Sequence, residues 1–184
     1  MSEKIILKGV RLSYEHIFNA SSIAGSEPKY SATFIIPKSD KKTIAEVKTA
    51  ILTAGDAAFP GKITAGKWPS SLHNPLKDGD ELADEHSEYA NSYILRASSK
   101  SRPVVLDRHK AAVSADDGLI YSGCYVNASL AASGFDAQAK KGVTCYLNGV
   151  QFVRDGERLA GYDATADFDD LEDEDDLDDE DMPF

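Results

Sequence analysis

Asp78, Asp80 and Glu81, in the run PLKDGDE, carry the hard oxygen donors that a Mg²⁺-dependent nuclease would need, because small divalent cations prefer carboxylate ligands. Gly79, Asn74 and Pro75 around them favour the plainer reading, a solvated acidic turn. The histidines, His16, His73, His86 and His109, are scattered, and no serine or cysteine has the local signature of a nucleophile. Cys124 and Cys145 show neither CxxC spacing nor a neighbouring histidine pair, so both read as small core residues and no metal is expected. There is no GxxxxGK[ST] phosphate loop. The expectation is a protein that is not an enzyme and holds no cofactor.

A second chemistry has more support. Arg96, Lys100, Arg102, Arg108 and Lys110 crowd one stretch, and Lys140 with Lys141 begins another. Interleaved with these are Tyr121 and Tyr125, spaced i and i+4, and Tyr146. Cations neutralise a phosphate backbone and aromatic faces stack on bases of any identity, so this mixture suits a single-stranded nucleic acid. Lys67 beside Trp68 is a further candidate pair. Each has a bland counterpart: ordinary surface charge for the cations, a loop anchor for the lone Trp, a dimer interface for outer tyrosines. Tyr14, Tyr30, Phe34, Phe135 and Phe152 are assigned to packing.

Net charge argues against nucleic acid until its position is considered. The chain of 184 residues has 31 acids and 20 bases, a net of −11. From residue 163 onward there are 13 acids and no base, which leaves 18 acids against 20 bases, a net of +2, in residues 1–162. Asp78, Asp80, Glu81, Asp84, Glu85 and Glu88 form another base-free stretch, so the remaining surface is more positive still and a basic groove is expected. Residues 163–184 are too charged and too poor in apolar groups to offset the entropy of ordering, and are expected to be a disordered acidic tail. Its last residues, Asp179, Glu180 and Asp181 followed by Met182, Pro183 and Phe184, put an apolar hook behind an acidic lead. That combination suits capture by a pocket with basic surroundings on another protein.

The elements that must hold these groups are mostly strands. Residues 6–14, 30–36, 92–97, 103–106, 119–130 and 143–153 alternate or are β-branched and aromatic. In the 119–130 stretch Ile120, Cys124, Val126, Ala128 and Leu130 share one parity, and Tyr121, Tyr125 and Asn127 the other. Gly149 marks a bulge that resets parity before Val150 and Phe152. One helix is expected, from Ile44, Val47, Ile51 and Leu52, capped by Ser39 or Asp40 or alternatively by a Thr43–Glu46 capping box, and stopped at Gly55. Residues 56–90 read as a long loop region with room for short strands. The fold class is therefore mainly β, one small barrel or sandwich with one helix, residues 1–162, followed by the tail. No apolar run is long enough for a membrane span, and MSEKIILKG lacks the apolar core of a signal peptide, so a cytoplasmic protein is expected.

Six blocks resemble a phage-encoded single-stranded-DNA-binding family, formerly a domain of unknown function. They are RLSY (11–14), PKYSATFIIPK (28–38), PLKDGDE (75–81), RPVVLD (102–107), IYSGCYV (120–126) and GVTCYLNGVQ (142–151). The acidic ending on Pro183 and Phe184 is similar to the tail of bacterial single-stranded-DNA-binding proteins. The resemblance implies an OB-fold barrel that coats and protects single strands in a bacterial host's cytoplasm during phage DNA replication and recombination. It further implies a tail that recruits replication or recombination proteins and competes with DNA. The number of copies in the assembly stays open; the alternatives are the Mg²⁺-dependent nuclease and an acidic adaptor that binds proteins only.

Overall fold

In a computed structural model, the chain is described over residues 2–22, 27–64, 67–137 and 139–159. The tail from residue 163, with Asp179 to Phe184, therefore lies outside the described residues, as does the side chain of Tyr14.

Among the described residues, seven strands and one long helix follow the chain. They are β1 (Ser2–Ser21), β2 (Lys29–Pro37), α1 (Lys41–Ala58), β3 (Leu76–Asp78), β4 (Ser92–Ser99), β5 (Val104–Leu106), β6 (Tyr125–Ala137) and β7 (Lys140–Arg154). The sheet runs β3-β4-β2-β1-β6-β7-β5, and an added parallel pairing of β4 with β7, Ser98 opposite Tyr146, closes five of these strands into a ring. Long β1 makes closure work. Its first half pairs with β6, from Ser2 opposite Ser133 to Arg11 opposite Tyr125, and its second half, from Arg11 on, pairs with β2. Counting only the ring, the order is first-second-third-fifth-fourth with the third and fifth parallel, which is the OB-fold. β3 and β5 are short additions on the outside of β4 and β7.

Period-two alternation puts Val126, Ala128, Leu130 and Ala132 of β6 into the barrel beside Val143, Cys145 and Leu147 of β7, all buried. Leu7, Leu12, Phe34, Ile36 and Leu95 complete the core. Burial raises the Cys145 thiol to about 12, so it packs as a neutral apolar group. In the β6–β7 hairpin Ser129 faces Gly149 but Leu130 faces Leu147, so the expected irregularity is present, with Asn148 as the extra residue. Without it, Val150 and Phe152 would point to solvent.

α1 begins where Asp40 accepts a hydrogen bond from the Thr43 N–H at 3.3 Å. Ile44, Val47, Ile51 and Ala54 form its buried stripe against β1 and β6. Burying each of the three larger side chains stabilises the packing by roughly 1.5–3 kcal/mol. Gly55 does not stop the helix, which continues to Ala58. A Cβ at residue 55 would lie 2.6 Å from Ile63 Cδ1 and 3.0 Å from Trp68 Cη2, so glycine here admits the indole rather than ending the turn. The 119–130 strand is also corrected. Residues 121–124 form a turn, Cys124 N–H donating to the Tyr121 carbonyl and Gly123 N–H to Leu12, so β6 begins only at Tyr125. Within residues 56–90 the structure adds β3 and two short 3-10 turns, at Gly79–Leu82 and Ser87–Tyr89. Among the described residues no helix is long and apolar enough to cross a membrane.

Candidate nucleic-acid interface

The outer face of the β2–β4 pair is divided in two. Ile35 and Ile94 lie at one end and are covered by Tyr89, with Leu82 and Leu159 packed against them. At the other end Ser31 faces Ser98 and Thr33 faces Arg96, and Ser31, Thr33, Arg96 and Ser98 line an open depression that Tyr89 also borders. Two adjoining open depressions of about 670 and 610 Å³ occupy this uncovered end and share His73, Ser98, Lys140 and Thr144 as walls. Lys29, Lys100, Phe135 and Tyr146 line the first, and His16, His86, Thr33 and Arg96 the second. Among the described residues no Asp or Glu lines either one, although the chain has 31 acids.

Each wall is set by a nearby device. The β6–β7 hairpin brings Phe135 opposite Gly142 and Ala137 opposite Lys140, so ring and ammonium reach the groove from one turn. The His73 backbone is pinned to β7: its N–H donates to the Lys141 carbonyl at 2.9 Å and its carbonyl accepts from Val143 N–H at 3.0 Å. A Cβ on Gly142 would lie 2.3 Å from His73 N, so glycine is required for that contact. The His73 ring then stands edge-on to Phe135, 6.0 Å between centroids. Desolvation lowers the His73 pKa, and Lys140, Lys77 and Arg96 lower it further. Tyr146 is 45% exposed.

Of the residues singled out by sequence, Arg96, Lys100, Lys140 and Tyr146 come together here. Arg102 lines a separate depression with Ile17, Phe18 and Val104, its guanidinium 6.0 Å from the Tyr30 ring, and Lys141 is exposed on the opposite parity of β7. The others do not join them. Trp68 donates its indole N–H to the Leu72 carbonyl at 2.7 Å and packs over Gly55, so it ties residues 68–72 to the helix, with Lys67 exposed beside it. Arg108 and Lys110 lie in a turn where the Asp107 carboxylate accepts from the N–H groups of His109 and Ala111, beyond the pairing of Leu106 with Gln151. Tyr121 and Tyr125 lie at the far end of the hairpin. The Tyr121 hydroxyl is 2.9 Å from the Gly156 carbonyl and accepts from Gly156 N–H, with Arg158 4.5 Å from the ring. Tyr125 has Arg154 at 3.9 Å and Arg11 at 5.9 Å.

Sequence reasoning missed Lys29, His73 and Phe135. Lys29 opens the YSATFII strand and carried a local signal; His73 and Phe135 are defined only by the ring's closure. Two of the three carboxylates considered for Mg²⁺, Asp78 and Asp80, are occupied otherwise. Lys38 Nζ reaches Asp78 at 2.9 Å and Asp80 at 2.6 Å, and Asp80 also accepts from Asn91 N–H at 2.8 Å. The hydrogen bonds from Lys38 hold both carboxyls below their ordinary range. Among the described residues no group of three or more His, Cys, Asp or Glu could hold a metal ion.

A closed OB barrel with a cationic groove over its second and third ring strands, lined by no carboxylate among the described residues, belongs to the class that takes up oligonucleotides or oligosaccharides on that face. The family model described as Enterobacter phage Enc34, ssDNA-binding protein, matches residues 3–179. The chain is 40% identical over 163 residues to protein p50 of Acyrthosiphon pisum secondary endosymbiont phage 1, covering 86% of this chain and 87% of that one. The single-stranded-DNA-binding protein of bacteriophage Enc34, solved in complex with ssDNA, superposes with a TM-score of 0.76 at 25% identity, over 85% of this chain and 89% of that one. Bacteriophage T7 gp2.5, a single-stranded-DNA-binding protein, shares the fold with a TM-score of 0.59 at 15% identity, over 92% and 96%. The chain belongs to the Enc34 phage single-stranded-DNA-binding protein family.

Proposed function

We propose that this chain binds single-stranded DNA without sequence preference in the groove between the β2–β4 face and the β6–β7 hairpin, and that in a bacterial host it coats and protects strands during phage DNA replication and recombination. The observation that carries this reading is the lining: Lys29, Arg96, Lys100 and Lys140 with Tyr146 and Phe135, and no carboxylate among the described lining residues. The cations track phosphates, the rings meet bases, and the related Enc34 protein has been solved with ssDNA. The acidic tail is a tethered phosphate mimic that competes for the groove, and its Met182-Pro183-Phe184 end recruits replication or recombination proteins. The clasp of Lys38 on Asp78 and Asp80 argues against the nuclease alternative.

Affinities for single- and double-stranded oligonucleotides of one length, at two salt concentrations, test the reading. Single strands should be preferred, and log K should fall against log salt with a slope of about −3 if four cations each neutralise one phosphate. Removing residues 163–184 should tighten binding; unchanged affinity would eliminate competition by the tail. A salt-independent interaction would contradict the groove itself.

A further inference from the structure

Three of the chain's four histidines, His16, His73 and His86, line the groove, and this further reading rests on that groove being the DNA site. They are not equivalent. His86 has a carboxylate partner, Glu88 Oε1 at 3.6 Å from its Nδ1, and lies against the Tyr89 ring at 5.0 Å. His16 is exposed on β1 at a break in its pairing with β2. His73 belongs to the wall shared by both depressions, fixed by its backbone to β7 and by its ring against Phe135. The charged groups that face it are Lys140 from the hairpin, Lys77 from β3 and Arg96 from β4, all cationic. Lys29 and Lys100 share the first depression with it, Lys100 in an exposed ion pair with Glu27 at 3.1 Å, and Asp136, opposite Lys141 in the hairpin register, is the acid on that turn.

We infer that His73 is a proton-taking phosphate contact, so that single-stranded DNA binds this protein together with a proton. In the free protein burial and three cations favour the neutral ring, which leaves it a proton to gain. A phosphate brought in by Lys140 and Arg96 cancels that repulsion, and the protonated imidazole then donates a charge-assisted hydrogen bond to it. The sign follows from linkage. The pKa is higher in the complex than in the free protein, so affinity rises as pH falls through the complexed value and levels off below the free one. A difference of about one unit between the two values gives at most about a tenfold gain in affinity over that window.

The test uses the full chain and a fluorescent oligodeoxythymidylate, whose bases do not titrate between pH 5.5 and 8.5, at constant ionic strength. Affinity should increase several-fold from pH 8 to pH 6. Calorimetry in buffers of different ionisation enthalpy should show uptake of a fraction of a proton at pH 7. His73→Gln should abolish both effects, and since the contacts to Lys141 and Val143 are made by backbone, this variant keeps the wall in place. NMR titration of the His73 ring with and without DNA gives an independent reading of the upward pKa shift. Proton uptake that survives His73→Gln but disappears in His16→Gln or His86→Gln would overturn the inference, as would an unshifted His73 ring. If Arg96→Ala with Lys140→Ala binds as tightly as the parent, the groove reading has failed instead; weakened binding with proton uptake untouched by His73→Gln leaves the groove standing and removes only the role of His73.

Discussion

The two ends of the β6–β7 hairpin have nearly the same composition and opposite states. At the turn end, Lys140, Tyr146 and Phe135 meet Arg96 and Lys100 across an open groove with no acid in its described lining, though Lys100 reaches out to Glu27 in an exposed ion pair at 3.1 Å. At the far end, Tyr121 and Tyr125 meet Arg11, Arg154 and Arg158, but every one of these groups already has a partner. Arg11 donates to the Glu157 carbonyl at 2.7 Å and to the Gly123 carbonyl at 3.2 Å, and Arg154 and Arg158 lie over the tyrosine rings. Their effect is to fasten residues 155–159 to the barrel, with Leu159 N–H donating to the Ser122 carbonyl. Cations plus aromatics make a binding surface only where neither has been used to hold the fold.

Charge reversal is the strongest way to break this comparison. Arg96→Glu with Lys140→Glu should weaken single-strand binding by roughly a hundredfold at moderate salt and flatten the log–log salt slope by about 1.4, two phosphate contacts' worth. The same reversal at Arg154 and Arg158 should change affinity by less than about threefold while lowering the melting temperature. Oligonucleotide titrations at several salt concentrations, beside thermal melts, separate the two. Equal losses of affinity at both ends would make the far end a second DNA contact.

Next in size is the ring itself. Tyr146→Ala should lose about 1–3 kcal/mol of binding, the range for a base-stacking aromatic, with the melting temperature hardly moved because the side chain is 45% exposed. Tyr125→Ala should do the reverse, lowering stability and leaving affinity within about twofold.

Much of the barrel was legible because strands advertise their faces. The alternation in β6 and β7, the parity reset near Gly149 and the Ile44-Val47-Ile51 stripe all correspond to buried faces in the fold. The tyrosine pair was not, since period-two reasoning assumes the strand continues, and the turn at 121–124 breaks the count that joined Tyr121 to Tyr125. Gly55 misled for a related reason: a glycine that makes room for Trp68 looks the same in sequence as one that ends a helix. His73 and Phe135 were out of reach, because the groove is assembled from residues as distant as His16 and Tyr146 and exists only once β4 meets β7.

A smaller effect sharpens the same distinction at the Tyr121 hydroxyl. Burial raises its pKa, so at neutral pH it is a phenol that accepts from Gly156 N–H and lies 3.0 Å from Asp155 Oδ1. Tyr121→Phe should cost about 1 kcal/mol of stability, the net worth of such a hydrogen bond, read from chemical denaturation, and nothing in DNA affinity.

The smallest expected effect concerns the acids, which the groove excludes and the clasp at Lys38 uses. Asp78 and Asp80 have folded-state pKa values depressed first of all by their hydrogen bonds from Lys38. A depressed carboxylate contributes stability that is present above its unfolded pKa and is lost as pH falls through the folded one, so the clasp should hold at neutral pH and loosen below about pH 4. Because these groups are exposed, the loss should be local rather than global. It should appear as reduced hydrogen-exchange protection of the Asn91 amide, which donates to Asp80, while the amides of β6 and β7 stay protected. Lys38→Met should give the same local opening at pH 7 and leave DNA affinity unchanged, because the clasp adjoins the covered half of the β2–β4 face. A gain in affinity from that substitution would mean that the cover over Ile35 and Ile94 lifts to extend the groove, and the boundary drawn between the open and covered halves of that face would have to move.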